Sequence, residues 1–367
     1  MTFGARALIR LGALDHNLSV IRDTCPDAKL MAVVKANAYG HGLITVAQNL
    51  GEADSFAVAR IPEAIQLRES GVTKSIVLLA GVLADDELSA AIENNFEVVV
   101  HCPEQIEMLE RCTSGQATVW LKFDTGMNRL GFRPQQSTAL IDRLRACGAV
   151  AELGLMSHLA SADDKANSAT KAQLENFRTV VDGFDGAISI ANSPAALGWP
   201  EIAAGSQTFG VTGEQWIRTG IALFGVSPFD GQTGADLGLE PVMQFEARLI
   251  AVKPLCKGER VGYKGSFEAS SDTRLGIVSA GYGDGYSRHF RTGTPVLING
   301  RRVPLIGNVS MDMIAVDLGA DAADAVGDIA ILWGPGLPVE EVAPWADAIP
   351  YELICGVMNR EDAEIVS

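Results

Sequence analysis

Residues 29–42 read KLMAVVKANAYGHG, and this stretch sets the first structural expectation. Residues 30–34 are uninterrupted apolar side chains, as suits a strand covered on both faces. Lys35 closes the run, and a turn of small residues follows. An ammonium delivered by a buried strand is costly unless it is paired or used, and a desolvated lysine amine is the nucleophile that forms an imine with an aldehyde. Tyr39 comes four residues later, where one turn brings its hydroxyl to the same place.

The same rhythm extends outward from this stretch. Short apolar runs at 29–35, 55–59, 75–80, 97–101, 117–123, 152–157, 187–191 and 217–224 alternate with longer amphipathic segments. Strands separated by a helix and two loops are the pattern of βα units on a parallel sheet, and eight of them point to an α/β fold with a (β/α)8 TIM-type barrel. Several runs end in residues able to do chemistry: Lys35, Arg60, Lys122 with Asp124, His158, Asn192 with Ser193, and Arg218. In such a barrel the carboxyl ends of the strands form one mouth, so these groups are expected to converge.

The segment SPFDGQTGADLGL (227–239) has the Gly- and Pro-rich composition of a connector. We therefore expect a barrel over 1–226, a linker over 227–239 and a mainly β domain over 240–367. In that last part, Met243, Phe245, Ala247 and Leu249 alternate with polar residues, as in a strand with one buried face. Further strand signals lie at 274–279, 313–318 and 328–333 and in the PVLI-NG-RRVPLI hairpin, with a short helix near 339–348.

Composition narrows the function classes. The formal net charge of −16 opposes nucleic acid or an anionic membrane surface as partner, although it permits a local basic pocket for a small anion. Arg6 and Arg10 interrupt the apolar residues near the start, so neither a signal peptide nor a membrane span is expected there. Six scattered cysteines without a CxxC pair, and five histidines without a ligand-like pair, predict reduced thiols in a cytoplasmic protein and no metal site.

The segment KANAYGHG resembles the pyridoxal-phosphate attachment segment of the alanine racemase family. LKFDTGMNRLGF (121–132), MSHLASAD (156–163), ANS (191–193), RTGIALFG (218–225), ERVGYKGSF (259–267), GYGDGY (281–286), SMDM (310–313) and YELIC (351–355) resemble family segments in the same order. The resemblance implies pyridoxal 5′-phosphate anchored on Lys35 and interconversion of L-alanine and D-alanine by two opposed proton carriers, Lys35 and Tyr263. It implies that His158 tunes Tyr263, and that Arg218 faces the pyridine nitrogen as a cation that keeps its proton. Tyr39, His158, Asn192, Ser193, Gly220 and Ile221 are implied to surround the cofactor and its phosphate. Arg129 is implied to pair with the substrate carboxylate, and Lys122 is a candidate for carbamylation.

Family members are homodimers with shared active sites, so Tyr263, Met311 and Asp312 are implied to serve the partner subunit's pocket. Tyr351 is implied to adjoin the cofactor and, with the partner's tyrosine, to narrow the pocket to a methyl-sized side chain, and Tyr282 to line the access corridor. The product would supply peptidoglycan synthesis or alanine would enter catabolism, two roles with the same chemistry. This chain departs from the family at Asn308, where an arginine is common, and at Lys264, where a glycine is common.

Rival readings are weaker. An aldolase, dehydratase or decarboxylase on this scaffold would need a metal cluster or another residue facing the ring nitrogen. A non-catalytic cofactor carrier has no use for the domain that bears Tyr263. A racemase of wider specificity is the nearest alternative, since one methylene is discriminated by only about 1–3 kcal/mol.

Overall fold

Strand β1 (Arg6–Arg10) precedes the barrel, whose strands are β2 (Lys29–Val33), β3 (Ser55–Val58), β4 (Ser75–Leu78), β5 (Phe96–Val100), β6 (Ala117–Lys122), β7 (Val150–Met156), β8 (Ile188–Ser189) and β9 (Trp216–Thr219). In this computed structural model, which describes residues 4–203, 206–357 and 364–366, the eight pair in parallel in the order β8-β7-β6-β5-β4-β3-β2-β9. β8 meets β9 through the bridge between Ile188 and Gln215 and the bond from Arg218 N to Ala191 O, so the barrel is nearly closed. The eight expected runs are the eight strands. Their apolar composition follows from burial on both faces, against the barrel centre and the surrounding helices.

The last expected strand, 217–224, is shorter than its apolar run. It ends at Thr219 because Gly220 turns the chain (φ −120°, ψ −89°) into a 3-10 turn over Ile221–Phe224. That bend presents backbone at the barrel mouth.

After the 227–239 segment come β10 (Met243–Leu255), β11 (Arg260–Val261), β12 (Phe267–Glu268), β13 (Thr273–Val278), β14 (Pro295–Ile298), β15 (Arg301–Ile306), β16 (Ile314–Asp317), β17 (Ile329–Trp333) and β18 (Glu364–Val366). The second large sheet has the order β13-β16-β15-β14-β17-β10-β1-β18, while β11 and β12 form a separate ribbon. The β14/β15 hairpin turns on Asn299 (φ 48°) and Gly300 (φ 74°), the positive pair that a two-residue hairpin requires. The expected helix at 339–348 is a single α-turn, Val339–Val342, followed by a 3-10 turn over Ala343–Ala346, with Pro344 unable to continue the α-helical bonding.

Strand β1 was not visible in the sequence reading. Its arginines alternate with buried Ala7 and Ile9, and the strand pairs antiparallel with β10 and parallel with β18. Arg6 reaches Glu246 and Glu364 across those pairings, so charges that look like interruptions form the outer face. One continuous apolar core runs through barrel and β sheet, and a smaller cluster of Leu255, Val261, Ala269, Leu275 and Ile306 supports the ribbon. No described helix is long and apolar enough to cross a membrane.

Candidate active site

The carboxyl ends of the barrel strands open onto a cavity of about 1020 Å³ that the β domain partly roofs. Lys35, Tyr39, Lys122, Arg129, His158, Asn192, Ser193, Arg218, Gly220, Ile221 and Tyr351 all line it. The expected convergence is thus present for every barrel residue implicated by the family resemblance and for Tyr351.

Lys35 enters on an unusual backbone. Ala36, Asn37, Ala38 and Tyr39 have φ values of 53°, 53°, 52° and 53°, so the turn after β2 is left-handed. Such a turn costs about 1–2 kcal/mol per L-residue and persists only where its surroundings hold it. Glu63 accepts from Ala36 N at 2.7 Å, and Asn37 Oδ1 accepts from Leu43 N at 2.8 Å. Helix Pro350–Cys355 closes over the turn so tightly that a Cβ on Gly40 (φ 83°) would lie 2.2 Å from Ile354 O. The reversed hand sets both Lys35 and Tyr39 on the cavity wall.

Four cations share this cavity: Lys35, Lys122, Arg129 and Arg218. None forms a direct ion pair with a carboxylate among the described residues. Their mutual repulsion and lost hydration govern the protonation of the site. Lys122 is pushed down to about 7, first by burial and then by Arg218, Arg129 and Lys35, with Asp124 acting in the opposite sense. Lys35 is lowered by burial and by Arg129, against Cys355 and Glu63.

Arg218, only 4% exposed, is lowered to about 10 by burial and keeps its proton near neutrality. Its guanidinium donates to Ser157 O at 2.6 Å, to Ile190 O at 3.4 Å, to Ser189 Oγ, and to His158 Nδ1 at 3.1 Å. Arginine only donates, so Nδ1 of His158 is the acceptor and the neutral ring carries its proton on Nε2. Burial and the surrounding cations hold His158 far below its ordinary pKa, which keeps it neutral.

Two residues beyond Arg218, Gly220 N donates to Ser193 Oγ at 3.0 Å, and a Cβ on Gly220 would come within 2.2 Å of the Tyr39 hydroxyl. Asn192 caps helix Ser193–Gly198 by accepting from Ala195 N at 3.3 Å, and it donates to Leu159 O at 3.2 Å. Tyr351 is raised to about 12 by burial and by Asp163. Burial and its neighbours Tyr351 and Cys355 raise Tyr39 as well.

Two of the polar strand ends serve elsewhere. Arg60 is exposed beside the start of helix Ile61–Glu69. Asp124 Oδ1 accepts from Gly126 N at 3.0 Å and Asn128 N at 2.9 Å, shaping the loop that presents Arg129. Other lining residues gave no sign in the sequence. Glu340 looks like an ordinary acidic first turn of a helix, yet its Oε1 receives both Ser227 N and Gly234 N at 2.8 Å and fixes the connector against the cavity. Cys355 stands in YELIC, and its place on the wall near Lys35 follows only from the fold.

Tyr263, Met311 and Asp312 do not line this chain's cavity. Tyr263 is 70% exposed and Met311 53% exposed. They belong to one bonded edge of the β domain, where Asn308 Nδ2 donates to Tyr263 O at 3.1 Å and Gly283 N donates to Met311 O at 2.8 Å. Lys264 is exposed there, at a left-handed φ of 64°.

A parallel barrel with a lysine-centred mouth, roofed by a β domain, is the framework found in two-domain amino-acid racemases, which are isomerases. Residues 9–228 match the model of the alanine racemase N-terminal domain, and residues 242–365 match that of the C-terminal domain. The alanine racemase of Shewanella sediminis is 49% identical over 97% of both chains, and that of Vibrio parahaemolyticus 48% identical over 98% of both. The crystal structure of the biosynthetic alanine racemase from Pseudomonas aeruginosa superposes with a TM-score of 0.93 over 100% of both chains at 40% identity. This chain belongs to the alanine racemase family.

Proposed function

We propose that this chain interconverts L-alanine and D-alanine with the aid of pyridoxal 5′-phosphate. The observation that carries the reading is the convergence of Lys35, Lys122, Arg129 and Arg218 on one cavity, without a directly paired carboxylate among the described residues, in a chain of net charge −16. Such a mouth suits a ligand with several negative charges, which a phosphorylated aldehyde and an amino-acid carboxylate supply together.

The donor set fits the cofactor. Lys35 offers a partly desolvated amine to the aldehyde. Ser193 Oγ accepts from Gly220 and keeps its own O–H to donate to phosphate. Tyr39 and the Gly220–Ile221 backbone adjoin it, and the lack of a Cβ at 220 leaves room for the Tyr39 hydroxyl beside that backbone. Arg218 would face the ring nitrogen as a donor that stays protonated. When bound, the cofactor supplies the electron sink that makes the substrate's Cα–H acidic.

The chain's own groups do the rest. Arg129 pairs with the substrate carboxylate, work that suits a planar guanidinium. The Lys35 amine carries the proton on one face of Cα, and the Tyr263 hydroxyl of the partner subunit carries it on the other. His158, neutral with its proton on Nε2, tunes that tyrosine. Tyr263, Met311 and Asp312 complete the partner's pocket across a homodimer, and the exposed apolar side chains on that edge support this arrangement. Tyr351 limits the side chain admitted, and Asn192 sets the loop that carries Ser193.

Lys122 is the candidate for carbamylation. An amine near pKa 7 is substantially unprotonated at neutrality, so its nitrogen can bond to the carbon of CO2 and lose a proton, leaving an anion among three cations. The domain division at 227–239 and a cytoplasmic location complete the reading.

The test is a racemisation assay of the purified protein in both directions, with serine, lysine and arginine beside alanine. Alanine turnover, an imine absorbance lost on borohydride and a pyridoxyl label on Lys35 are expected. A preference for lysine or arginine, or a label elsewhere, would overturn the reading.

A further inference from the structure

We propose that His41 is a positioning residue for Lys35 and Tyr39, acting as a hydrogen-bond donor that holds the left-handed turn in its reversed hand. The proposal rests on the reading of Lys35 as the cofactor's anchor. His41 touches neither Lys35's amine nor the cavity that Lys35 lines. It lies behind the turn, 1% exposed, between the barrel and the β domain.

Its Nδ1 is 2.9 Å from Tyr39 O and 3.1 Å from Ala38 O. Carbonyl oxygens only accept, so Nδ1 carries the proton and Nε2 of the neutral ring is bare. Consistent with that tautomer, Nε2 meets no hydrogen-bond partner among the described residues. Burial holds the ring to about 4, so it stays neutral across the working range. The imidazole also stacks on Phe224, with centroids 4.4 Å apart, and Phe224 lies 5.0 Å from the Tyr39 ring. His41 thereby joins the 36–39 turn to the 221–224 turn, the two segments that bring Lys35, Tyr39 and Ile221 to the cavity.

A left-handed turn of L-residues relaxes toward other backbone regions unless its carbonyls are held. Ala38 O also receives His41 N at 3.0 Å, while Tyr39 O takes its bond from the imidazole. The reversed hand therefore depends on a donor at this position as well as on bulk.

The experiment separates donation from packing. In the intact protein, the nitrogen resonances of His41 are expected to show a protonated Nδ1 and a bare Nε2, and a protonated Nε2 would overturn the proposal. His41→Phe keeps a stacked ring and removes the donor. His41→Asn loses the ring but places an amide N–H near the position of Nδ1. After removal of cofactor, the rate at which Lys35 captures pyridoxal 5′-phosphate, followed by imine absorbance and borohydride labelling, should fall by about tenfold or more in His41→Phe. In His41→Asn it should stay within about threefold of wild type, and kcat should follow the same order. The reverse order, or a loss of thermal stability with capture and kcat unmoved, means that His41 only fills space and ends the proposal. If neither variant folds, the resonances of the intact protein decide alone. Absence of any label on wild-type Lys35 would sink the anchoring reading instead.

Discussion

The barrel mouth and the Tyr263 edge of the β domain are built on opposite terms. At the mouth, functional side chains are held by buried backbone and polar bonds, and four cations crowd one cavity. At the edge, Tyr263 and Met311 stand in solvent, tied to their neighbours mainly through backbone atoms. The mouth has charge enough for an anionic cofactor and a carboxylate, yet among the described residues the tyrosines that line it are Tyr39 and Tyr351. Tyr39 and Tyr351 are both pushed upward by burial. A rigid half-site and an exposed half-site on the same chain are complementary pieces, which is the physical case for a site shared between two copies.

The largest effect should come from the mouth. Lys35→Ala should lower racemisation in both directions by about a thousandfold or more, since anchor and proton carrier go together. Residual activity within tenfold of wild type would break the comparison at its rigid end. Tyr263→Phe should cost about 10²–10⁴-fold, unequally in the two directions. Mixing the two defective chains sharpens the point. If sites are shared, half of the dimers formed from a one-to-one mixture are mixed and one of their two sites is intact, giving about a quarter of wild-type activity. A mixture as inactive as its parents would show that each chain works alone.

A third effect is electrostatic and follows from Lys122. Its amine binds a proton up to about pH 7 in the folded protein but up to its ordinary value of about 10.5 when unfolded. Between those values the unfolded chain binds more protons, so stability rises with pH by up to about 1.4 kcal/mol per unit, and the penalty is full below pH 7. Lys122→Met should therefore raise the Tm of cofactor-free protein near pH 6, with the gain over wild type shrinking toward pH 10. A pH-independent difference would mean that the crowding of cations is already neutralised. The smallest effect belongs to the exposed edge. Lys264 sits at φ 64°, so Lys264→Gly should relieve about 1 kcal/mol of strain, offset in part by a freer unfolded chain. Activity should not change, and an altered KM for alanine would instead place that ammonium near the substrate.

The barrel was legible because eight doubly buried strands leave eight apolar runs, and the β14/β15 hairpin because Asn299-Gly300 favours one turn. The mouth residues were legible because Lys35, Lys122, His158 and Arg218 sit at or just past strand ends, where apolar sequence makes a polar group conspicuous. Other features arise only from tertiary contact. The left-handed course of Ala36 to Tyr39 has no local signature, since alanine and tyrosine seldom take positive φ and the compensating partners are the Glu63 carboxylate, which accepts from Ala36 N, and the Leu43 N–H and His41 ring, which donate. Glu340 acts on backbone 106 and 113 residues away, and no local pattern announces that. Strand β1 was masked because its alternation spans only five residues and its partners lie far along the chain.

That distant partnership orders the chain's assembly in time. Arg6 and Glu246 are 240 residues apart, and all eight barrel strands lie between them. During synthesis the barrel can pair its strands while β1, made before them, still has no strand neighbour. Its place opens only when β10 emerges, and its other edge waits for β18. Contacts of such long separation form late and slowly. A segment that leaves the ribosome before the whole barrel is thus among the last to be hydrogen-bonded, and the alternating arginines of RALIR are well suited to keep it from pairing prematurely with another nascent chain.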